Sequence, residues 1–231
     1  MAFKNNDFVL VDYTVKVKET NEIIETTRED IAKENKLYRE DETYKPKLMI
    51  IGEGRYVKGF EEAVASSNVG ESKTIEVKPE KAYGERDPNK VKVLSLRELA
   101  RNNIIPEPGK FIEIGGVVGL VKSVSGGRVV VDFNHPLAGK VLVFEFKVVK
   151  KLDEPVEKIK YLMMRRSRRI SEDNLNIRYL QDEARVEIDT PEEILLAEDL
   201  QIFKSAVADD IFKYFDEIKQ VIFLDHFFKK E

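Results

Sequence analysis

The residues with the spacing to do chemistry lie in one stretch, GEGRYVKGFEEAVASSNVGESKTIEVKPEKAYG, from Gly52 to Gly84. Gly52, Gly54 and Gly59 have the density of a phosphate cradle, yet no Gly-Lys-Ser/Thr follows and no strand runs into a Gly-x-Gly-x-x-Gly turn. Nucleotide binding is therefore set aside. What remains is a group of rings and branched aliphatics, Tyr56, Val57, Phe60 and Tyr83, that would line one concavity if a short helix lay across a curved sheet. The competing reading is ordinary core. Reactive groups are otherwise scarce. The chain has no Cys, which removes thiol nucleophiles, disulfides and thiolate-bound metal, and with only His135 and His226 there is no clustered imidazole site. His135 precedes Pro136 and reads as a turn residue rather than a base. Neither a metal nor a cofactor is expected.

The elements that must position this group follow from periodicity. The apolar run 48–51 ends at Gly52, residues 59–64 open a short helix that Gly70 closes, and 72–77 alternate as a half-buried strand ending at Pro79. Upstream, 8–17 reads as a strand that carries Tyr13 towards the cavity. After a turn at Asn21, a second strand begins at Ile23-Ile24-Glu25. Residues 28–47 read as a charged surface loop with a helical turn near 31–37. Downstream, 91–94 is a strand, Ser95-Leu96-Arg97-Glu98 is a capping box, and three strands at 111–114, 117–124 and 128–133 are joined by glycine turns. This βαβββ module of about 50 residues is close to the lower limit for an independent core. Val91, Leu96, Leu99, Ile104 and Phe111 are accordingly expected to border a partly exposed groove, unless they simply fill the module. Residues 141–149 read as a further strand.

From Asp153 the composition changes: basic and acidic residues nearly balance before it, and acidic ones clearly exceed basic ones after it. A separate domain at 153–231 is expected. Pro155 opens a helix with Val156, Ile159 and Met163 on one face, and Arg165, Arg166, Arg168 and Arg169 follow it. Four arginines could grip nucleic acid, but the acidic surroundings and the lack of interleaved aromatics favour a solvated or interface role. Thr190-Pro191-Glu192-Glu193 then starts a long amphipathic helix, expected to break near Asp209-Asp210, and 221–224 reads as a strand before Phe227-Phe228. So many apolar rings in a small domain suggest a dimer interface or a second client surface. No apolar run approaches the ~20 residues of a membrane span, and the start MAFKNNDFVL lacks a secretory pattern, so a cytoplasmic, membrane-free protein is expected.

Taken in order, GEGRYVKGFEEAV, VGE, AYGE and LVFEFKVVK resemble the FKBP-type peptidyl-prolyl isomerases over about two thirds of the chain, in their SlyD-like branch. The resemblance implies an α+β fold: an antiparallel curved sheet wrapped on a short helix, an inserted small mainly-β domain, and a C-terminal α+β domain of the long-chain archaeal type. The implied domains are 1–84 with 133–152, 85–132 and 153–231. It places Tyr13, Glu25, Val57, Phe60, Tyr83 and Phe144 in the catalytic pocket, with Ile24, Tyr56 and Leu142 beside them. Ile24 and Glu25 stand where the family usually has an aromatic followed by Asp, and Phe60 where it commonly has Trp. The insert would capture unfolded or proline-containing chains through Val91, Leu96, Leu99, Ile104 and Phe111, and the C-terminal domain would pair two copies. No nucleic-acid partner is implied.

Such a pocket suits one reaction. Twisting a peptide bond costs about 18–20 kcal/mol because conjugation is lost, and the X–Pro bond relaxes over tens to hundreds of seconds. No proton or electron moves. The twisted amide is less polar than the planar one, so a dry, ring-lined site that fits a proline and a rotated carbonyl favours it differentially. An isomerase that also holds unfolded chains is thus one expectation. A pure holdase, its pocket weakened by Ile24, Glu25 and Phe60, is the other.

Overall fold

The computed structural model describes residues 3–229; the first two residues of the stretch read for a secretory pattern lie outside it. Two compact units divide the chain. One combines the N-terminal segment up to Lys16 with Glu22–Ile75 and everything from Val143 on; the other holds Val17–Asn21 and Glu76–Leu142. Residues 85–132 lie within the second unit, and residues 153–231 fall in the first.

The first unit is organised on strand β1 (Phe8–Val17), whose one edge pairs with β2 (Ile23–Thr26) and then β3 (Lys47–Ile50), both antiparallel. The five-stranded sheet continues through β9 (Leu142–Leu152) to β4 (Ser72–Val77), in the order β2-β1-β9-β4. Helix α1 (Glu29–Glu34) fills the loop between β2 and β3, and α2 (Lys58–Ala65) follows the turn after β3. Simple alternation fails at Phe8-Val9-Leu10-Val11, all four of which are buried. Both faces of β1 are covered, so the strand has no solvent side to leave polar. Phe8 and Leu10 share a core with Leu48, Ile50 and Leu152 and with the C-terminal residues Ile159, Leu162, Met163, Val207 and Ile211.

That C-terminal segment contains α4 (Pro155–Met164), β10 (Ile177–Leu180), β11 (Arg185–Asp189), α5 (Glu192–Leu195), α6 (Leu200–Tyr214) and β12 (Gln220–Leu224). Strand β11 pairs antiparallel with β10 and parallel with β12, so α5 and α6 form the crossover that a parallel pair requires. The long helix breaks at 196–199, ahead of the expected Asp209-Asp210, because Asp210 lies buried on α6 against two arginines and belongs to the helix's packed side.

In the second unit, β5 (Val91–Ser95), β6 (Phe111–Ile114), β7 (Val117–Ser125) and β8 (Arg128–Asp132) form a sheet in the order β5-β8-β7-β6, with α3 (Leu96–Arg101) after β5. The expected βαβββ succession is present, although the Ser95 side chain makes no cap hydrogen bond. Its core is Leu99, Ile112, Val121, Val129 and Val131, with Leu96 and Ile104 packed on it. Gly119 lies where this core is tightest: a Cβ there would sit 2.5 Å from Val131 Cγ1 and 2.7 Å from the Phe133 ring. Gly119→Ala should therefore destabilise this unit by about 1–3 kcal/mol through overpacking. Hydrogen exchange of the β7 and β8 amides measures it, and unchanged protection there would show that the core gives way without cost.

Candidate functional site: an aromatic cluster at the start of α2

The turn that leads into α2 is held from within. Glu61, one turn into the helix, accepts the Gly52 N–H at 2.6 Å on one carboxylate oxygen and the Gly54 N–H at 3.1 Å on the other. Gly52 and Gly54 have φ of +86° and +71°, a region that side chains avoid, which is why the turn needs both glycines. The turn delivers Tyr56 and Val57 to the start of the helix. The Tyr56 hydroxyl donates to the Leu48 carbonyl at 3.1 Å, tying this end of α2 to β3. Val57 caps the helix with an extended backbone and receives the Phe60 and Glu61 N–H groups on its carbonyl. Its own N–H takes no hydrogen bond among the described residues.

Phe60 is the hub. Its ring lies parallel to Phe144 at 4.4 Å and meets Tyr13 at 5.3 Å, Phe146 at 5.4 Å and Tyr56 at 5.8 Å; Tyr13 and Tyr56 in turn meet edge-on at 6.1 Å. These offset and edge-on arrangements suit ring quadrupoles. Phe60 is wholly covered, enclosed by these four rings. Tyr13 and Phe144 are also buried, while Tyr56, Val57 and Ile24 are half-buried. The sequence reading overlooked Phe146, though its signal was there: Leu142, Phe144, Phe146 and Val148 alternate on the buried face of β9.

Glu25 is not loose. Its Oε1 accepts the Tyr13 hydroxyl at 2.5 Å and lies 3.4 Å from Lys47 Nζ, so the long stem is fixed at its tip. Burial pushes the Tyr13 phenol well above its ordinary range and the Glu25 charge adds to this, which keeps Tyr13 protonated as a donor. Burial, with Glu25 again contributing, pushes Tyr56 up to about 12. Neither phenol can serve as an acid or base near neutrality. No group of three or more His, Cys, Asp or Glu able to hold a metal occurs among the described residues.

The other expected site residues fall in the second unit. Tyr83 is in the second unit, its ring stacked on His135 at 4.1 Å, and the His135 Nδ1 accepts the Leu137 N–H. Leu142 is buried at the start of β9. Of the five residues expected around a groove, Leu99 is buried core, Leu96 and Ile104 pack on that core, and Val91 and Phe111 are exposed.

Known proteins resemble most of the chain. Residues 1–106 match the FKBP-type peptidyl-prolyl cis-trans isomerase description, 92–137 the FKBP26 IF domain and 155–228 the FKBP26 C-terminal description. A short-type peptidyl-prolyl cis-trans isomerase from Methanocaldococcus jannaschii is 40% identical over 145 residues, which are 63% of this chain and 91% of that protein. The chain belongs to the FKBP-type peptidyl-prolyl cis-trans isomerase family. Among further FKBP-type relatives, a 16 kDa isomerase from Escherichia coli K12 is 28% identical across 64% of this chain and 93% of its own length. The SlyD isomerase of Helicobacter pylori J99 is 30% identical across 61% and 70%. As an FKBP-type enzyme the chain catalyses cis-trans isomerisation of X–Pro bonds, and the α+β fold read from the sequence is the fold observed. No helix among the described residues is long and apolar enough to cross a membrane.

Proposed function

We propose that isomerisation takes place over the aromatic cluster at the start of α2, and that the insert sheet captures unfolded chains. The carrying observation is the Val57 N–H, unpaired among the described residues and set beside half-buried Tyr56 above a dry layer of rings. An X–Pro carbonyl accepting that N–H is held while its amide twists, and the surrounding rings favour the less polar twisted state. Tyr13, Phe60, Phe144 and Phe146 keep water out from below. Glu25 fixes the Tyr13 ring through the hydroxyl.

The capture reading is supported by the outer face of the insert sheet. With α3 and the core on one side, Val93, Phe111 and Val118 point to the other and are each more than half exposed; across the strands Val93 faces Val130, Phe111 faces Leu120 and Val118 faces Glu113. An extended, apolar polypeptide fits a contiguous pleated patch of this kind. Holding a client on the same chain as the pocket raises the local concentration of its prolines. Replacing Val93 and Phe111 together by Asp should abolish suppression of client aggregation. Turnover of a four-residue X–Pro peptide should stay within about twofold, because short substrates need no capture. Retained suppression in that variant assigns capture to another surface.

A further inference from the structure

Three of the arginines after α4, Arg165, Arg166 and Arg168, are paired with specific acids, and two of them connect to the pocket. Arg165 Nη1 donates to both carboxylate oxygens of Glu53, each at 3.0 Å, while its Nη2 lies 3.0 Å from Asp210 Oδ2. The Tyr214 hydroxyl donates to Glu53 Oε1 at 2.9 Å, and the Tyr214 ring stands edge-on to Phe8 at 5.3 Å. Glu53 belongs to the turn whose two glycine N–H groups are held by Glu61, and it precedes Tyr56 and Val57 by only a few bonds. The turn is therefore clamped on one side by α2 and on the other by α4 and α6. The Arg165 and Glu53 side chains are 11% and 14% exposed, so salt screens this pair little.

Arg168 makes a second connection, to the opposite wall. Its guanidinium lies 3.0 Å from Glu42 and donates to Asp41 at 2.8 Å. Glu42 is 3.6 Å from Lys47 Nζ, Lys47 is 3.4 Å from Glu25, and Glu25 accepts the Tyr13 hydroxyl. Charges alternate in sign along the whole series, which ends on a pocket ring. All of these residues belong to the first unit.

We infer that Arg165 and Arg168, with Tyr214, are positioning residues for prolyl isomerisation: the C-terminal segment sets the turn that carries Tyr56 and Val57, and steadies the Glu25–Tyr13 pair. The inference rests on the pocket lying over that turn. It also gives Arg165 and Arg168 a task other than nucleic-acid binding, since their charge is spent on Glu53, Asp210, Asp41 and Glu42.

The test uses the full chain and a short X–Pro peptide. Arg165→Met should lower kcat/KM about tenfold, because displacing a carbonyl-binding N–H by a fraction of an ångström weakens the twisted state. Arg165→Lys, which keeps a charge between Glu53 and Asp210, should recover part of the loss. Tyr214→Phe removes one hydrogen bond, retains the ring on Phe8, and should cost about threefold. If Arg165→Met fails to fold, that variant carries the test. Arg168→Gln should have a smaller effect that disappears near 1 M salt, where the Debye length of about 3 Å has already weakened the exposed links. In each folded variant with reduced activity the Val57 and Tyr56 amide resonances should move. A purely structural role lowers the melting temperature but leaves those resonances and the kcat/KM of the folded protein unchanged, and that result overturns the inference. Phe60→Ala separates the two levels: if it loses activity while Arg165→Met and Tyr214→Phe keep theirs, positioning fails alone. If all three keep full activity, the pocket assignment fails and positioning falls with it.

Discussion

Phe60→Ala should reduce kcat/KM on a short X–Pro peptide by about thirtyfold or more and destabilise the first unit by about 3–5 kcal/mol. Phe60 is fully covered and touches four other rings, so truncation leaves a void among Tyr13, Tyr56, Phe144 and Phe146 that the sheet cannot close without moving them. A thousandfold acceleration requires only about 4 kcal/mol, so losing the support for one wall removes a large part of it. Water entering the void also favours the planar, more polar amide. Tyr13→Phe should do far less, since it keeps the ring and removes only the hydroxyl held by Glu25. With both phenols shifted upward and no proton transferred, the wild-type rate should be flat from about pH 6 to 9 once stability is accounted for. Proline-limited refolding and a peptide assay measure all three. A Phe60→Ala enzyme that refolds its client at the wild-type rate would put the reacting site away from this cluster.

Much of the segment around α2 could be read in the sequence, because its parts are local. Gly52 and Gly54 mark the turn, 59–64 the helix, and Tyr56 stands in the turn just ahead of the helix that carries Phe60. The insert was legible for the same reason: its strands are joined by short turns, and paired glycines punctuate them. What escaped was set by partners distant in sequence. Phe8-Val9-Leu10-Val11 is buried on both faces only because α4 and α6 return to cover β1. Glu61 looks like an ordinary helix acid, and nothing nearby signals that it holds Gly52 and Gly54. Glu25 seemed a loosened carboxylate until Tyr13 and Lys47 were found at its tip. Leu99 was placed beside a groove by composition, whereas α3 turns it into the core of its own sheet. The arginines were read as solvated or interfacial, and their acids lie more than forty residues away in every case.

The second large effect concerns stability. Asp210→Asn should cost about 3 kcal/mol at neutral pH and almost nothing in acid. Asp210 lies on α6 with Arg166 Nε donating to its Oδ2 at 2.7 Å and Arg165 Nη2 at 3.0 Å, and its side chain is only 10% exposed. Burial by itself pushes the carboxyl up, but the bonds and charges of the two guanidinium groups outweigh it and hold the group below its ordinary value of 3.8. The unfolded chain therefore binds this proton more readily than the native one. The stabilisation is fully present above about pH 4 and is lost as pH falls through the depressed native value. Asparagine keeps the shape and one acceptor oxygen, yet it leaves two partly buried cations facing a neutral group. Arg165 would then rely on Glu53 alone. Denaturant unfolding of both proteins at several pH values separates charge from shape. A gap that closes towards pH 2–3 identifies the carboxylate as the cause. A gap of the same size throughout would instead mean that asparagine packs badly against α4, and the ion pairs would carry none of the difference.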